Sequence, residues 1–139
     1  MVRILFFFSK NCQFCHKAEA VLDRIAGIAG AEVKKIDIDT EDGVKLAEMH
    51  KIKYLPTTII FLNDMTVKLE GFNGERYTSE LSKHLLSKEK AEISFMLSRI
   101  IDLEKEKKEI EQKLLKLASK YKLTVDLDNL KVTDWGELK

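Results

Sequence analysis

Cys12 and Cys15, the only two cysteines of this 139-residue chain, stand three positions apart with Gln13 and Phe14 between them. Two thiols at that spacing are placed to form and break one disulfide. Exchange of this kind needs one thiol that is ionised and reachable and a second close enough to release it. In a helix that starts at Cys12, residues three apart share a face. The first-turn amides and the helix dipole there favour a thiolate on Cys12. Lys10 and His16, with Lys17, add positive potential beside it. Cys12 is therefore expected to attack from a depressed pKa, and Cys15 to be the more buried, resolving thiol.

Three other chemistries use the same residues. Two cysteines three apart can be ordinary buried small apolar side chains. Cys12-Gln13-Phe14-Cys15-His16 also has the form of a c-type haem attachment pattern. Zinc takes four ligands, and the chain offers two Cys and three His, with His50 and His84 at no ligand spacing to the motif. A zinc or iron–sulfur site shared between two chains would complete such a set. The expectation adopted is redox exchange, with no metal and no cofactor other than the Cys12–Cys15 disulfide itself.

The surrounding sequence has to place those thiols. Residues 2–8, with Ile4-Leu5-Phe6-Phe7-Phe8, read as a buried strand, and Ser9-Lys10-Asn11 as a loop. Phe14, Ala18, Val21, Leu22 and Ile25 recur at helical spacing from Gln13 to about Ile28, where Gly27 and Gly30 end the helix. Val33, Ile36 and Ile38 mark a second strand. Thr40 or Asp42 caps a short helix through about His50 that carries Val44, Leu46, Ala47 and Met49. After Pro56, Thr57–Leu62 is a third strand, and Asn63-Asp64 turns into a fourth, Met65–Glu70. Gly71 and Gly74 break it, and a third helix runs from about Tyr77 to Leu86. The βαβ half requires a parallel pair with a right-handed crossover, and the second half an antiparallel hairpin. The fold class is α/β: a four-stranded mixed sheet flanked by helices, followed by a long C-terminal helix.

The order strand, Cys12-Gln13-Phe14-Cys15, helix, strand, helix and Tyr54-Leu55-Pro56-Thr57 resembles the thioredoxin superfamily over residues 1–87. The resemblance implies a cis-proline at Pro56, 44 positions after Cys12, that opens the third core strand and faces the dithiol. It also implies that the backbone around Leu55 and Pro56 binds the substrate chain. Gly71 matches the glycine that follows the family's last strand. Asn11 and Gln13-Phe14 depart from the Trp-Cys-Gly-Pro-Cys of thioredoxins, and Phe6 occupies the place of their buried acid. The aromatic before Cys15 and the small size are more like glutaredoxins. The implied activity is thiol–disulfide oxidoreduction: reduction or exchange of disulfides in a protein substrate, with an upstream reductase to reset the dithiol.

Residues 88–121 contain no Gly or Pro, and Ile93, Ile100, Lys107, Leu114 and Tyr121 recur every seven positions. Met96, Leu103, Ile110 and Leu117 follow three residues later, giving an a/d heptad with one polar core position at Lys107. Leu97, Ile101 and Leu115 widen the seam. This helix is expected to self-associate, as a homodimer through residues 93–121, in preference to docking on its own domain. An alternative function follows: an assembly module in which the helix recruits partners and the dithiol is regulatory or vestigial. Residues 122–139 form a tail with an alternating Leu123, Val125 and Leu127, a turn at Asp128-Asn129, and apolar anchors at Leu130, Val132, Trp135 and Leu138.

Bulk properties narrow the partners. With 45% hydrophobic and 34% charged residues, the chain can bury a core and is not a disordered composition. The 24 basic and 23 acidic residues leave a net charge of +1, so no field favours nucleic acid. The Lys/Glu run around 104–109 is a solvated face without a phosphate-tracking stripe. Near the start, no apolar run approaches the roughly 20 residues that span a bilayer, and no secretory signal is legible. The chain accordingly reads as cytoplasmic with no membrane partner, in a setting where thiols stay reduced.

Overall fold

In the computed structural model, which describes residues 2–138, the apolar run forms β1 (Arg3–Phe8) at the centre of the sheet. Helix α1 (Gln13–Ala29) follows, then β2 (Glu32–Asp37), α2 (Glu41–Met49), β3 (Thr57–Phe61), β4 (Thr66–Glu70) and α3 (Gly74–Leu85). The strand order is β2-β1-β3-β4. β1 runs parallel to β2 and antiparallel to β3, and β3 pairs antiparallel with β4. This is the mixed sheet that the βαβ and ββα halves require.

Alternation along β1 divides the core into two layers. Ile4 and Phe6 point to one face, where they meet Ala18, Leu22 and Ile25 of α1 and Tyr77 and Leu81 of α3. Phe7 points to the other, against Ile36 and Ile59, with Leu46, Ala47 and Ile52 closing that side. Helices thus cover both faces of the sheet.

Thr40 is the cap of α2, its Oγ1 accepting from the Gly43 N–H at 3.0 Å. A Cβ on Gly43 would collide with the Asp37 carbonyl, so only glycine lets this helix lie so close to the end of β2. That approach also decides which apolar side chains of α2 reach the core. Leu46 and Ala47 pack on the core, whereas Val44 and Met49 stay exposed. A nine-residue helix held at Gly43 turns only one narrow face inward.

Helix α3 begins three residues earlier than expected. Gly74 is its first residue rather than a break, because the Tyr77 N–H already donates to the Asn73 carbonyl at 2.8 Å. Tyr77 and Thr58 share a buried hydrogen bond of 2.8 Å across the α3–sheet layer. Burial pushes the Tyr77 phenol from 10.0 up to about 12, against the opposing pull of the Thr58 bond. The folded state favours the neutral phenol, so this contribution is intact below pH 10 and is lost as the pH rises toward about 12. A Thr58→Val variant keeps the shape but leaves the Tyr77 hydroxyl unpaired, and is expected to lose about 1–3 kcal/mol in urea unfolding. Adding Tyr77→Phe should recover part of that loss and flatten the alkaline limb. Equal stability of Thr58→Val and the native chain would dismiss the bond as a stabiliser.

The chain divides into two compact units after Ser94, within a single long helix α4 (Lys88–Tyr121). The second unit comprises the rest of α4 and an antiparallel pair, β5 (Thr124–Asp126) and β6 (Lys131–Asp134). Sequence alternation indicated only the first of these strands. The Asn129 amide closes their turn by donating to Asp126 at 2.8 Å, and this bond holds the Asp126 carboxyl below its usual range. Backbone N–H groups of Leu123 and Glu137 donate to the carbonyls of Ala118 and Tyr121, returning the tail to the helix end. Of the expected anchors, Val132 is partly covered, while Leu130, Trp135 and Leu138 are exposed. The backbone bonds tie the tail to the helix end, and Leu130 and Val132 share a recess with Leu114 of the helix. No helix among the described residues is long and apolar enough to cross a membrane.

Candidate active site

Strand β1 delivers the chain to the motif, and one tight turn lifts it into α1. The Cys12 N–H donates to the Ser9 carbonyl at 3.1 Å, and the Ser9 hydroxyl donates to Asp39 Oδ2 at 2.8 Å. The second contact ties the motif loop to the turn after β2. Sequence reading passed over it, although the cluster Asp37, Asp39 and Thr40 was visible at that strand's end.

Cys12 is the N-cap of α1, with extended backbone angles (φ −92°, ψ 106°), and its Sγ accepts from the Cys15 N–H at 3.2 Å. An amide directed at the sulfur stabilises negative charge on it, and no acidic residue occupies the first turn to oppose this. Cys12 and Cys15 are joined as a disulfide with their Cα atoms 5.2 Å apart. Cys15 is 1% exposed, whereas Cys12 is only partly covered.

The flanking residues take distinct places. Lys10 extends into solvent and lies 4.0 Å from Asp37, so its charge is shared with a carboxylate. His16 is exposed, its Nε2 3.1 Å from the Lys10 carbonyl, which ties the first turn of α1 to the loop before the motif. Phe14 is 56% exposed beside the disulfide, with the Lys17 ammonium 5.6 Å from its ring. Phe6 is fully buried and stacks on Phe8 with ring centroids 6.1 Å apart, so an apolar contact stands at the position before the motif.

Strand pairing brings the second half of the site to the same end of the sheet. Phe7 pairs with Thr57, so the segment before β3 lies beside the end of β1, from which the Cys12 turn departs. The Leu55–Pro56 peptide bond is cis. Pro56 is buried, and its carbonyl accepts from the Gly71 N–H at 2.7 Å. The Thr57 hydroxyl donates to the Tyr54 carbonyl at 2.6 Å. Between these two anchored carbonyls, the Leu55 backbone makes no hydrogen bond among the described residues. Tyr54, which sequence reading did not single out as a site residue, is exposed at this edge.

The other two histidines are occupied elsewhere. His50 packs between the rings of Phe7 and Phe61, and His84 pairs with Glu80 at 3.4 Å. A cavity of about 470 Å³ runs along β4 and α3 past Gly71, Asn73, Arg76 and Tyr77.

Comparison with known proteins agrees with this architecture. The model of the glutaredoxin-like domain (DUF836) matches residues 3–127. Thioredoxin 2 of Plasmodium berghei is 36% identical over 84 residues, covering 59% of this chain and 54% of its own length. The chain thus spans about half of that curated relative. A solved structure of malaria-parasite thioredoxin-2, described as a component of the protein secretion machinery, superposes with a TM-score of 0.51 at 27% identity. It covers 60% of this chain and 84% of that one. Oxidised thioredoxin O2 of Arabidopsis thaliana gives a TM-score of 0.56 at 16% identity, covering 61% and 76%, a likeness of fold alone.

Proposed function

The chain belongs to the family of glutaredoxin-like domains (DUF836), and from that premise we propose that it is a thiol–disulfide oxidoreductase acting on disulfides of protein substrates. The observation that carries this reading is the asymmetry of the pair: Cys12 capped and reachable, Cys15 buried beneath it. The Cys12 thiolate attacks one sulfur of a substrate disulfide; that S–S bond breaks, and the other substrate sulfur leaves as a thiolate that takes up a proton. The Cys15 thiolate then attacks Cys12 Sγ, breaking the mixed disulfide and releasing the second substrate thiol. One substrate disulfide has become two thiols, and the chain holds the Cys12–Cys15 disulfide. An upstream dithiol reductase supplies the two electrons that restore it. The exchange runs on the two sulfurs, without a further cofactor.

Leu55 and Pro56 take the substrate strand in this reading, because the unengaged Leu55 N–H and carbonyl offer one donor and one acceptor beside the dithiol. His16, held at the Lys10 carbonyl one residue from Cys15, is proposed to modulate Cys12 from the loop that carries it, while the charge of Lys10 is offset by Asp37. A cytoplasmic setting, where thiols are kept reduced, fits the reductant direction.

Mixing the pre-reduced chain with insulin tests the proposal. Reduction of about one substrate disulfide per chain is expected, with matching loss of the Cys12 and Cys15 thiols. Absence of any thiol transfer would sink it.

A second reading concerns assembly. Between residues 93 and 110, α4 exposes its a/d side chains, which supports a homodimer formed through this helix. It is compatible with the redox function, since the helix can bring a substrate or a second dithiol near.

A further inference from the structure

Ile93, Met96, Ile100, Leu103 and Ile110 are each 48–58% exposed along α4. C-terminal to them, the hairpin takes over the helix surface: Leu114 lines a recess of about 260 Å³ with Val125, Leu127 and Val132. The open seam therefore runs from Ile93 to Ile110, and its midpoint falls between Ile101 and Asp102. Leu117 is exposed beyond it.

The geometry points to a second copy of this chain as the occupant, packed antiparallel about a two-fold axis at that midpoint. The inference rests on the self-association just proposed and adds its direction and register. Core layers decide against a parallel pair. In a parallel, in-register dimer every a residue meets itself, so Lys107 would face the partner's Lys107 in the core. Glu106 would also flank the partner's Glu111, a like-charge contact repeated by symmetry. Antiparallel packing about the midpoint instead sets Ile93 on the partner's Ile110, Ile100 on the partner's Leu103, and Lys107 on the partner's Met96. The long Lys107 stem can lie along that apolar layer while its ammonium reaches water.

Charges flanking the seam select the register. In an antiparallel pair g residues face g and e residues face e. Arg99 then meets the partner's Glu106, Glu92 the partner's Lys113, and Lys90 the partner's Glu111, each twice. Sliding by one heptad in one direction places Arg99 on the partner's Arg99 and Glu92 on the partner's Glu106. Sliding the other way places Glu106 on the partner's Glu106 and Arg99 on the partner's Lys113. Only the midpoint register leaves all the flanking charge contacts complementary.

Single-cysteine reporters in the full chain, with Cys12→Ser and Cys15→Ser removing the native thiols, test this. A mixture of Ile100→Cys and Leu103→Cys chains should form the mixed disulfide under mild oxidation, while Leu103→Cys alone should not link to itself. Self-linking of Leu103→Cys with no mixed product would overturn the antiparallel register and leave self-association standing. A monomer by light scattering of the unmodified chain would remove both. Arg99→Glu and Glu106→Arg should each weaken the dimer about ten-fold, and their combination should restore it. A combined variant as weak as the singles would refute the proposed facing pair.

Discussion

A Cys12→Ser chain is expected to lose disulfide reduction by about a thousand-fold or more, because Cys15, the other sulfur at the site, is buried away from an incoming substrate. Cys15→Ser should behave differently. With Cys12 still capping α1, the first exchange proceeds, and the chain stops as a stable mixed disulfide with its substrate. The difference follows from position. Cys12 sits at the rim with an amide directed at its sulfur, and Cys15 lies one turn on, 1% exposed. Non-reducing electrophoresis after incubation with substrate reads both outcomes. A Cys12→Ser chain that traps substrate through Cys15 would reverse the assignment of attacking and resolving thiols.

Phe6→Ala carries the largest expected cost to folding, about 3–5 kcal/mol, the range for removing a buried aromatic side chain. Phe6 is fully buried in the central strand, shares its layer with Ile4, Leu22, Ile25, Ile60 and Leu81, and stacks on Phe8. Its neighbours come from β1, α1, β3 and α3, so they cannot collapse into the void together without moving the sheet against two helices. Urea unfolding gives the number, and a loss below about 1 kcal/mol would mean that the layer repacks. In the thioredoxin resemblance read from the sequence, this residue falls at the place of a buried acid. Here the position contributes apolar packing, so proton transfer to the resolving thiol cannot use a carboxylate from that residue.

Much of the redox unit was legible because its signals are local. The run Ile4–Phe8 and the helical spacing after Gln13 fixed β1 and α1, and Cys12 fell at their junction. Pro56 was a readable punctuation before β3. The features that escaped depend on contacts distant in sequence. Gly74 looked like a breaker until the Tyr77–Asn73 bond made it the first residue of α3. Val44 and Met49 fit the helical period, yet the orientation of α2 is set by the approach of Gly43 to Asp37, which periodicity does not encode. The Ser9–Asp39 and Thr58–Tyr77 bonds join residues 30 and 19 positions apart, and each is an unremarkable polar residue in its own segment. In the tail, β6 has one partly covered apolar residue, Val132, too little alternation to announce a strand.

The strand order has a consequence for how the molecule tolerates crowding. β2 and β4 are the open borders of the sheet, each with a row of backbone groups available to another chain. Lys34 and Lys35 stand on the first, Lys68 and Glu70 on the second, all exposed. Adding a foreign strand at either border would bring it against these charges, and Lys68 is further held by the carbonyls of His50 and Lys51. Extended polypeptide is thus discouraged along both flanks of the sheet. In the proposed redox reading, the unengaged Leu55 backbone is the place left where such a chain would settle, so the border charges and that opening would act together in selecting how an extended substrate approaches.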